Sequence, residues 1–178
     1  MKHFLKSVLI LCLLAVAIAG PAQKALAQES GSILATATVV TTLSVIGVNN
    51  LQFGVVTPGV QTSVNKNAAG IAGQWDVNGT AVAEVLLSFT LPDSLRTADS
   101  SAAMDVFFNG TDAQYVNTAI GTQASPTGIL NPALTHVLNL SNLGAMTVWI
   151  GGTVAPTVAQ TGGDYSAAVV LTVAYTGN

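Results

Sequence analysis

The chain has 178 residues, of which only 7% are charged, and its five Lys and Arg side chains are outnumbered by eight Asp and Glu, giving a net charge of −3 at pH 7. So few cations exclude a protein that neutralises many phosphates, whether on a nucleic acid or on an anionic membrane surface. An ordinary soluble monomer carries about a quarter charged residues, so a surface of Ser, Thr, Asn and Gly favours an assembled extracellular structure.

The first 27 residues are predicted to be a cleaved secretory signal peptide. A basic start precedes an apolar stretch over 8–19, which at twelve residues is too short to span a bilayer. Ala25 and Ala27 form a small-x-small cleavage site, so the mature chain is predicted to begin at Gln28. A cut after Ala19 is the alternative. Export without a transmembrane anchor is expected.

The mature chain, residues 28–178, has 151 residues, a length that suits a single domain with its own core. It retains two basic residues, Lys66 and Arg96, and all eight acidic ones, so its net charge is −6. Its sequence contains no cysteine, because Cys12 lies in the signal peptide. Disulfides and thiolate chemistry are therefore excluded.

β-Strand patterns follow one another along the mature chain. From Ile33 to Val45 apolar side chains alternate with mostly hydroxyl-bearing ones, which predicts a half-buried strand that extends to residue 48. Further strands are predicted over 51–56, 60–64, 75–77, 82–91, 104–108, 134–140, 145–150, 153–158 and 165–175. Asn78-Gly79 is the strongest two-residue hairpin signal. Without sustained helical periodicity, this pattern predicts an all-β sandwich.

The C-terminal strand has one fully apolar face. Side chains alternate between the two faces of a strand, so six of them point the same way: Tyr165, Ala167, Val169, Leu171, Val173 and Tyr175. The opposite face is small and half polar. The apolar face needs a cover, which comes either from the chain itself or from a partner.

No enzyme active site, metal site or cofactor is predicted. His136, the only histidine of the mature chain, has no neighbouring acid, which disfavours a serine triad. One histidine without cysteine makes a poor zinc shell. The scattered acids do not predict a glycosidase pair. The segments 76–80 and 109–112 contain oxygen-bearing side chains that calcium would accept, but turn chemistry already explains them.

Aromatic side chains suggest an alternative function, a self-contained extracellular module that binds a glycan or a host surface. Trp75, Trp149 and Tyr115 are the candidates for such a platform, with the loops of 109–135 around them. Both tryptophans lie in apolar strand contexts, however, which favours packing in the core.

The order and spacing of six short motifs along the mature chain are informative. The motifs are Leu51-x-Phe53-Gly54-x-Val56, Asp76-Val-Asn78-Gly79, Phe89-x-Leu91-Pro92, Gly151-Gly152-Thr153, Gly162-Gly-Asp-Tyr165 and Val173-x-Tyr175. Together they resemble a family of secreted bacterial proteins that is described as a domain of unknown function and is related to spore coat protein U-like and fimbrial subunits. The resemblance implies an immunoglobulin-like, pilin-like antiparallel β-sandwich.

The resemblance also implies a function. It is that of a non-enzymatic structural or adhesin-like subunit of a bacterial surface fibre or coat, which passes through the periplasm and pairs with other copies of itself or related subunits by β-augmentation. A periplasmic chaperone and an outer-membrane usher are the implied assembly partners. As in chaperone–usher pilins, a glycine precedes the last strand and a tyrosine ends it, here Gly163 and Tyr175. Unlike them, three residues follow the tyrosine, and a cysteine pair is absent.

The two terminal segments are the predicted strand-pairing regions. The candidate residues are Ile33, Ala35, Ala37, Val39, Gly163, Tyr165, Val169, Leu171, Val173 and Tyr175. Residues 28–40 are either an arm that is donated to another copy or the start of the domain's own first strand. Lys and Glu, which normally protect exposed strand edges, are nearly absent from both segments.

Overall fold

A computed structural model describes Ser32, Leu34, residues 41–118 and residues 121–177. Ser32 and Leu34 are exposed and lie outside any strand. Several sequence predictions fall outside the described residues: the signal peptide, its cleavage site at Ala25 and Ala27, and the pairing candidates Ile33, Ala35, Ala37 and Val39.

The chain divides into two compact units, Met1–Thr38 and Val39–Asn178. In the described part of the second unit, the elements are β1 (Ser44–Asn49), β2 (Thr62–Val64), β3 (Gly73–Asn78), β4 (Glu84–Thr90), β5 (Ser94–Arg96), β6 (Ala103–Phe107), β7 (Ala113–Val116), β8 (Gly128–Leu130), β9 (His136–Asn139), β10 (Ala145–Ile150), β11 (Gly152–Ala155) and β12 (Val170–Tyr175). No helix is present among these described residues.

The strands form three antiparallel sheets. The five-stranded sheet has the order β1-β3-β10-β7-β8, the four-stranded sheet β2-β11-β6-β5, and the three-stranded sheet β12-β4-β9. The predicted all-β antiparallel sandwich is therefore confirmed.

The main core lies between the five-stranded and the three-stranded sheet. Alternate residues of β10 point into it, so Met146, Val148 and Ile150 are buried. Val85 and Leu87 of β4 face them from the other sheet and are fully buried. Each such side chain contributes roughly 2 kcal/mol to folding by leaving water. The apolar residues that recur at every second position in the sequence are thus the residues that are buried.

A second, smaller core lies on the four-stranded sheet. Its buried members are Met104, Val106 and Val154. The two cores are connected by one stretch of backbone, because β10, which lines the main core, continues through Gly151 into β11, which lines the smaller one. A side chain at Gly151 would clash, since its Cβ would lie 2.7 Å from the backbone nitrogen of Lys66. One extended stretch therefore serves both cores.

The predicted strand over 51–56 is wrong. These residues make no ladder and lie outside any strand. Gly54 has a φ of +69°, a left-handed conformation that breaks an extended run. The apolar alternation there reflects side chains that reach the smaller core, since Phe53 and Val56 pack against it.

The predicted hairpin at Asn78-Gly79 is also wrong. β3 belongs to the five-stranded sheet and β4 to the three-stranded sheet, so the chain crosses between layers here. The glycine is needed for close packing instead: a Cβ at Gly79 would lie 2.9 Å from Cδ1 of Leu140. Its N–H donates to the carbonyl of Gly144 over 2.8 Å.

Other differences concern strand length. In the described part of the predicted first strand, 41–43 lie outside any strand and β1 starts at Ser44, while the predicted terminal strand forms a ladder only from Val170 onward. The strand predicted over 153–158 ends at Ala155, before a proline that cannot donate to a ladder. The predicted strands do not include β5, β7 and β8.

Candidate functional site

The sheet edges differ in how well they are protected. Four of the six edge strands, β2, β5, β8 and β9, have only three or four residues, whereas β1 and β12 have six each. Short edges resist pairing with another chain. β12 contains no charged residue, and its register with β4 has no bulge. The ladder of β1 is irregular between Gly47 and Asn49. Among the described strands, long edges without charged side chains are thus β1 and β12.

These two edges lie on the same side of the sandwich. β1 ends the five-stranded sheet and β12 ends the three-stranded sheet, and the two strands approach each other without forming a ladder in the described part of the chain. We call the gap between them the seam. Among the described residues, β1 and β12 each have a ladder partner on one side only.

The seam opens into a groove of about 930 Å³. One wall is formed by 50–56, which follows β1, and the other by 160–169, which precedes β12. The floor is the smaller core, with Met104, Val106 and Val154. This core therefore has a strand-bearing sheet on one side only.

Few backbone hydrogen bonds hold the two walls. In the first wall, the N–H of Gln52 donates to the carbonyl of Ile71 over 2.9 Å. In the second, Ser166 exchanges two hydrogen bonds of 2.9 and 3.0 Å with Arg96 of β5. Of the residues that line the groove, Asp164 alone is charged. The groove is suited to an uncharged, extended segment.

Tyr165 fixes the shape of the second wall. Its hydroxyl donates to the carbonyl of Thr161 over 2.6 Å and accepts from Nε2 of Gln160 over 2.8 Å. The same Nε2 donates to the carbonyl of Ala103 over 2.9 Å, which ties the wall to β6. Gly163 lies exposed in this wall with a φ of +153°.

Only part of the apolar face predicted for the last strand is covered by the chain. Val169, Leu171 and Val173 pack against the main core, so the chain itself covers this half. Tyr165 packs against the smaller core instead, and Ala167 lines the groove and remains exposed. The open half of the face is therefore the part that lies before β12.

The hydroxyl of Tyr175 joins three distant parts of the chain. It accepts from the N–H of Thr80 over 2.7 Å and donates to the carbonyl of Thr41 over 3.0 Å. The N–H of Thr41 donates to Oγ1 of Thr80 over 2.8 Å. The pKa of Tyr175 lies below its usual value, mainly because of the hydrogen bond with the Thr80 side chain. Neither threonine was identified from the sequence.

The three aromatic glycan candidates do not share a surface. Trp75 and Tyr115 both lie directly opposite Val148 in their ladders and so face the main core, against which both pack. Trp149 is the next residue of β10, points to the other face and is 7% exposed. A common stacking platform is therefore not formed.

His136 and Asp112, whose side chains could bind a metal or act in catalysis, hydrogen-bond to the backbone instead. His136 lies in β9, within the predicted strand over 134–140, with Nε2 at 2.8 Å from the carbonyl oxygen of Asn131. Asp112 accepts from the N–H of Asn109 over 2.7 Å, which is a turn interaction. Among the described residues, no group of three His, Cys, Asp or Glu side chains is arranged to hold a metal ion.

In comparison with known proteins, no family model matches this chain, and no curated protein sequence matches it. Within the described ranges, no helix has the length and apolar character needed to cross a membrane.

Proposed function

We propose that this protein is a secreted, non-enzymatic structural subunit of a bacterial surface fibre or coat, and that it assembles when a terminal segment pairs at the seam. The observation that carries the proposal is the pair of long edges, β1 and β12, beside a groove that has an apolar floor and a single charged lining residue, Asp164. An extended segment placed there would gain main-chain hydrogen bonds from an edge and bury alternate side chains on the floor.

The proposed occupant is the N-terminal segment, 28–40, of a second copy or a related subunit. Its apolar side chains recur at every second position, as insertion into a groove requires: Ile33, Ala35, Ala37 and Val39. The segment carries one charge, at Glu29, so it brings almost no charge into the groove.

The length of the segment permits this pairing. Thirteen extended residues span at most roughly 45 Å, whereas an edge of six residues spans about 20 Å. The segment is therefore long enough to reach a neighbouring seam, and equally long enough to fold back onto its own. Donation and self-pairing are the two states that the experiment below separates.

The proposed route is export by the signal peptide, transit through the periplasm and incorporation at the cell surface. An exposed groove of this size is a liability for a free subunit, because unpaired edges invite unspecific association. A periplasmic chaperone that covers the seam, followed by an outer-membrane usher, fits this need and is the route that the pilin resemblance implies.

The test compares the mature chain with two tryptophan variants. Ala167→Trp places an indole in the groove and should block assembly, as measured by size-exclusion chromatography with light scattering. Ala174→Trp adds the same bulk to an exposed position on the outer face of β12 and should leave assembly unchanged. If the mature protein stays monomeric at high concentration, or if both variants assemble as it does, the proposal is wrong.

A synthetic peptide of residues 28–40 provides an independent measurement. It should bind to a protein that lacks these residues, and it should fail to bind when the same protein carries Ala167→Trp. A mature chain that is folded and monomeric, and that does not exchange its own segment for labelled peptide, would instead support pairing within one chain.

A further inference from the structure

Thr41 directly follows the segment 28–40 in the sequence, and both of its backbone groups are occupied. Its N–H donates to the hydroxyl oxygen of Thr80 over 2.8 Å, and its carbonyl accepts from the hydroxyl of Tyr175 over 3.0 Å. The hydroxyls of Thr41 and Thr80 lie 3.2 Å apart. Side chains therefore hold this residue, although it lies outside any strand.

The two side chains that hold Thr41 are themselves well anchored. Tyr175 is the last residue of β12, pairs with Val85 and packs against the main core. Thr80 follows Gly79, which has no room for a Cβ beside Leu140. The hydrogen bonds thus connect an exposed residue to two rigid parts of the domain.

Because its N–H and C=O are both used, Thr41 cannot contribute to a ladder along its own edges. Any strand formed by the N-terminal segment must end before it. The boundary between the segment that pairs and the domain that receives is therefore set by side-chain hydrogen bonds, and not by a change in the sequence pattern, which alternates without interruption from Ile33 to Val45.

Resting on the function proposed above, we propose that Tyr175 and Thr80 form a clamp that fixes Thr41 as the root of the donated segment. When another subunit holds the segment, a pull on it reaches Thr41. With the clamp closed, the pull passes through Tyr175 into β12, which is one of the two edges of the seam. Without it, the pull would peel Leu43 and then β1 from the five-stranded sheet.

Hydrogen exchange tests the clamp without requiring assembly. In the monomeric mature protein, Tyr175→Phe should accelerate amide exchange of Thr41 and its neighbours by roughly tenfold, as the loss of neutral hydrogen bonds implies. Amides of β10 should change much less. Tyr115→Phe, which removes a hydroxyl from another half-buried tyrosine, should leave Thr41 unaffected. Equal acceleration at all amides, or none at Thr41, would overturn the clamp.

Subunit exchange between labelled assemblies tests its role. Assemblies of Tyr175→Phe and of Thr80→Val should exchange subunits roughly tenfold faster than those of the unaltered protein or of Tyr115→Phe. Equal rates in all four proteins would overturn the role of the clamp in assembly. If the amide of Thr41 exchanges faster in Tyr175→Phe but the protein never assembles, the proposed function is refuted and only the local clamp remains.

Discussion

Trp75 of β3 and Phe89 of β4 meet edge to face across the two layers of the sandwich, with ring centroids 6.0 Å apart and an interplanar angle of 66°. Such a pair adds roughly 1 kcal/mol beyond the area that it buries. Trp75 also lines the groove, so this contact lies at the junction between the main core and the proposed binding site. The fluorescence of the Trp75 indole should therefore respond to changes in the main core and in the groove.

We expect the fluorescence of Trp75 to follow occupation of the groove. In Trp149→Phe, Trp75 is the remaining tryptophan of the chain. Addition of the 28–40 peptide to this protein, lacking its own segment, should shift the emission to shorter wavelength, because the occupant excludes water from the indole. The reciprocal variant, Trp75→Phe, should show little change, since Trp149 is buried on the other face of its sheet.

The floor and walls of the groove should matter more than a similar surface elsewhere. Phe53→Ala removes a half-buried ring that packs against the smaller core, and we expect a loss of about 2 kcal/mol in the free energy of unfolding, with weaker peptide binding. Phe107→Ala removes a ring that is 48% exposed and should cost less than about 1 kcal/mol. Urea denaturation measures both; comparable losses would contradict the assigned packing.

Gly79 should be intolerant of a side chain for steric reasons. We expect Gly79→Ala to cost about 3 kcal/mol, because a methyl group would overpack Leu140 and displace the Tyr175 hydroxyl. Gly162→Ala is the matched control, since a Cβ there meets no atom within 4 Å and its φ is not positive. Thermal unfolding of the two variants should separate them clearly, and similar melting temperatures would refute this account.

Asp99 should contribute to stability in a manner that depends on pH. Hydrogen bonds from the Thr97 hydroxyl and then from Ser101 lower the pKa of its carboxyl to about 2. The folded pKa is below the unfolded one, so the stabilisation is present above pH 4 and is lost as the pH falls toward 2. Unfolding measured at pH 6 and at pH 2 should show Asp99→Asn to be destabilising only at the higher value. An unchanged difference would exclude this role.

Long, strictly alternating runs were predictable from the sequence. The strands around Val85, Val148 and Leu171 were all anticipated, because each buries one face of a period-two pattern. These features depend on local sequence alone. The same alternation predicted one strand over 165–175, but only Val170–Tyr175 form a ladder, and it did not predict that the half around Ala167 is open.

Features that depend on distant partners were not predictable. The segment containing Phe53 alternates like a strand, yet it forms no ladder with the described residues beyond the hydrogen bond from Gln52 to Ile71, and Gly54 interrupts it. Asn78-Gly79 has the composition of a hairpin, but the next strand finds its partners in another sheet. Tyr175 pairs with Val85 in a ladder, and its hydroxyl also holds Thr41, a residue 134 positions earlier. Sequence periodicity carries no information about such contacts.

The continuous stretch through Gly151 has a consequence for cooperativity. One backbone contributes Val148 to the main core and Val154 to the floor of the groove, with no loop between them that would let the two parts open separately. We therefore expect a single calorimetric transition rather than two. A segment that fills the groove, at a free concentration of a hundred times its Kd, should raise the free energy of unfolding of the entire sandwich by about 2.7 kcal/mol. Assembly with a neighbour would therefore also increase thermal stability.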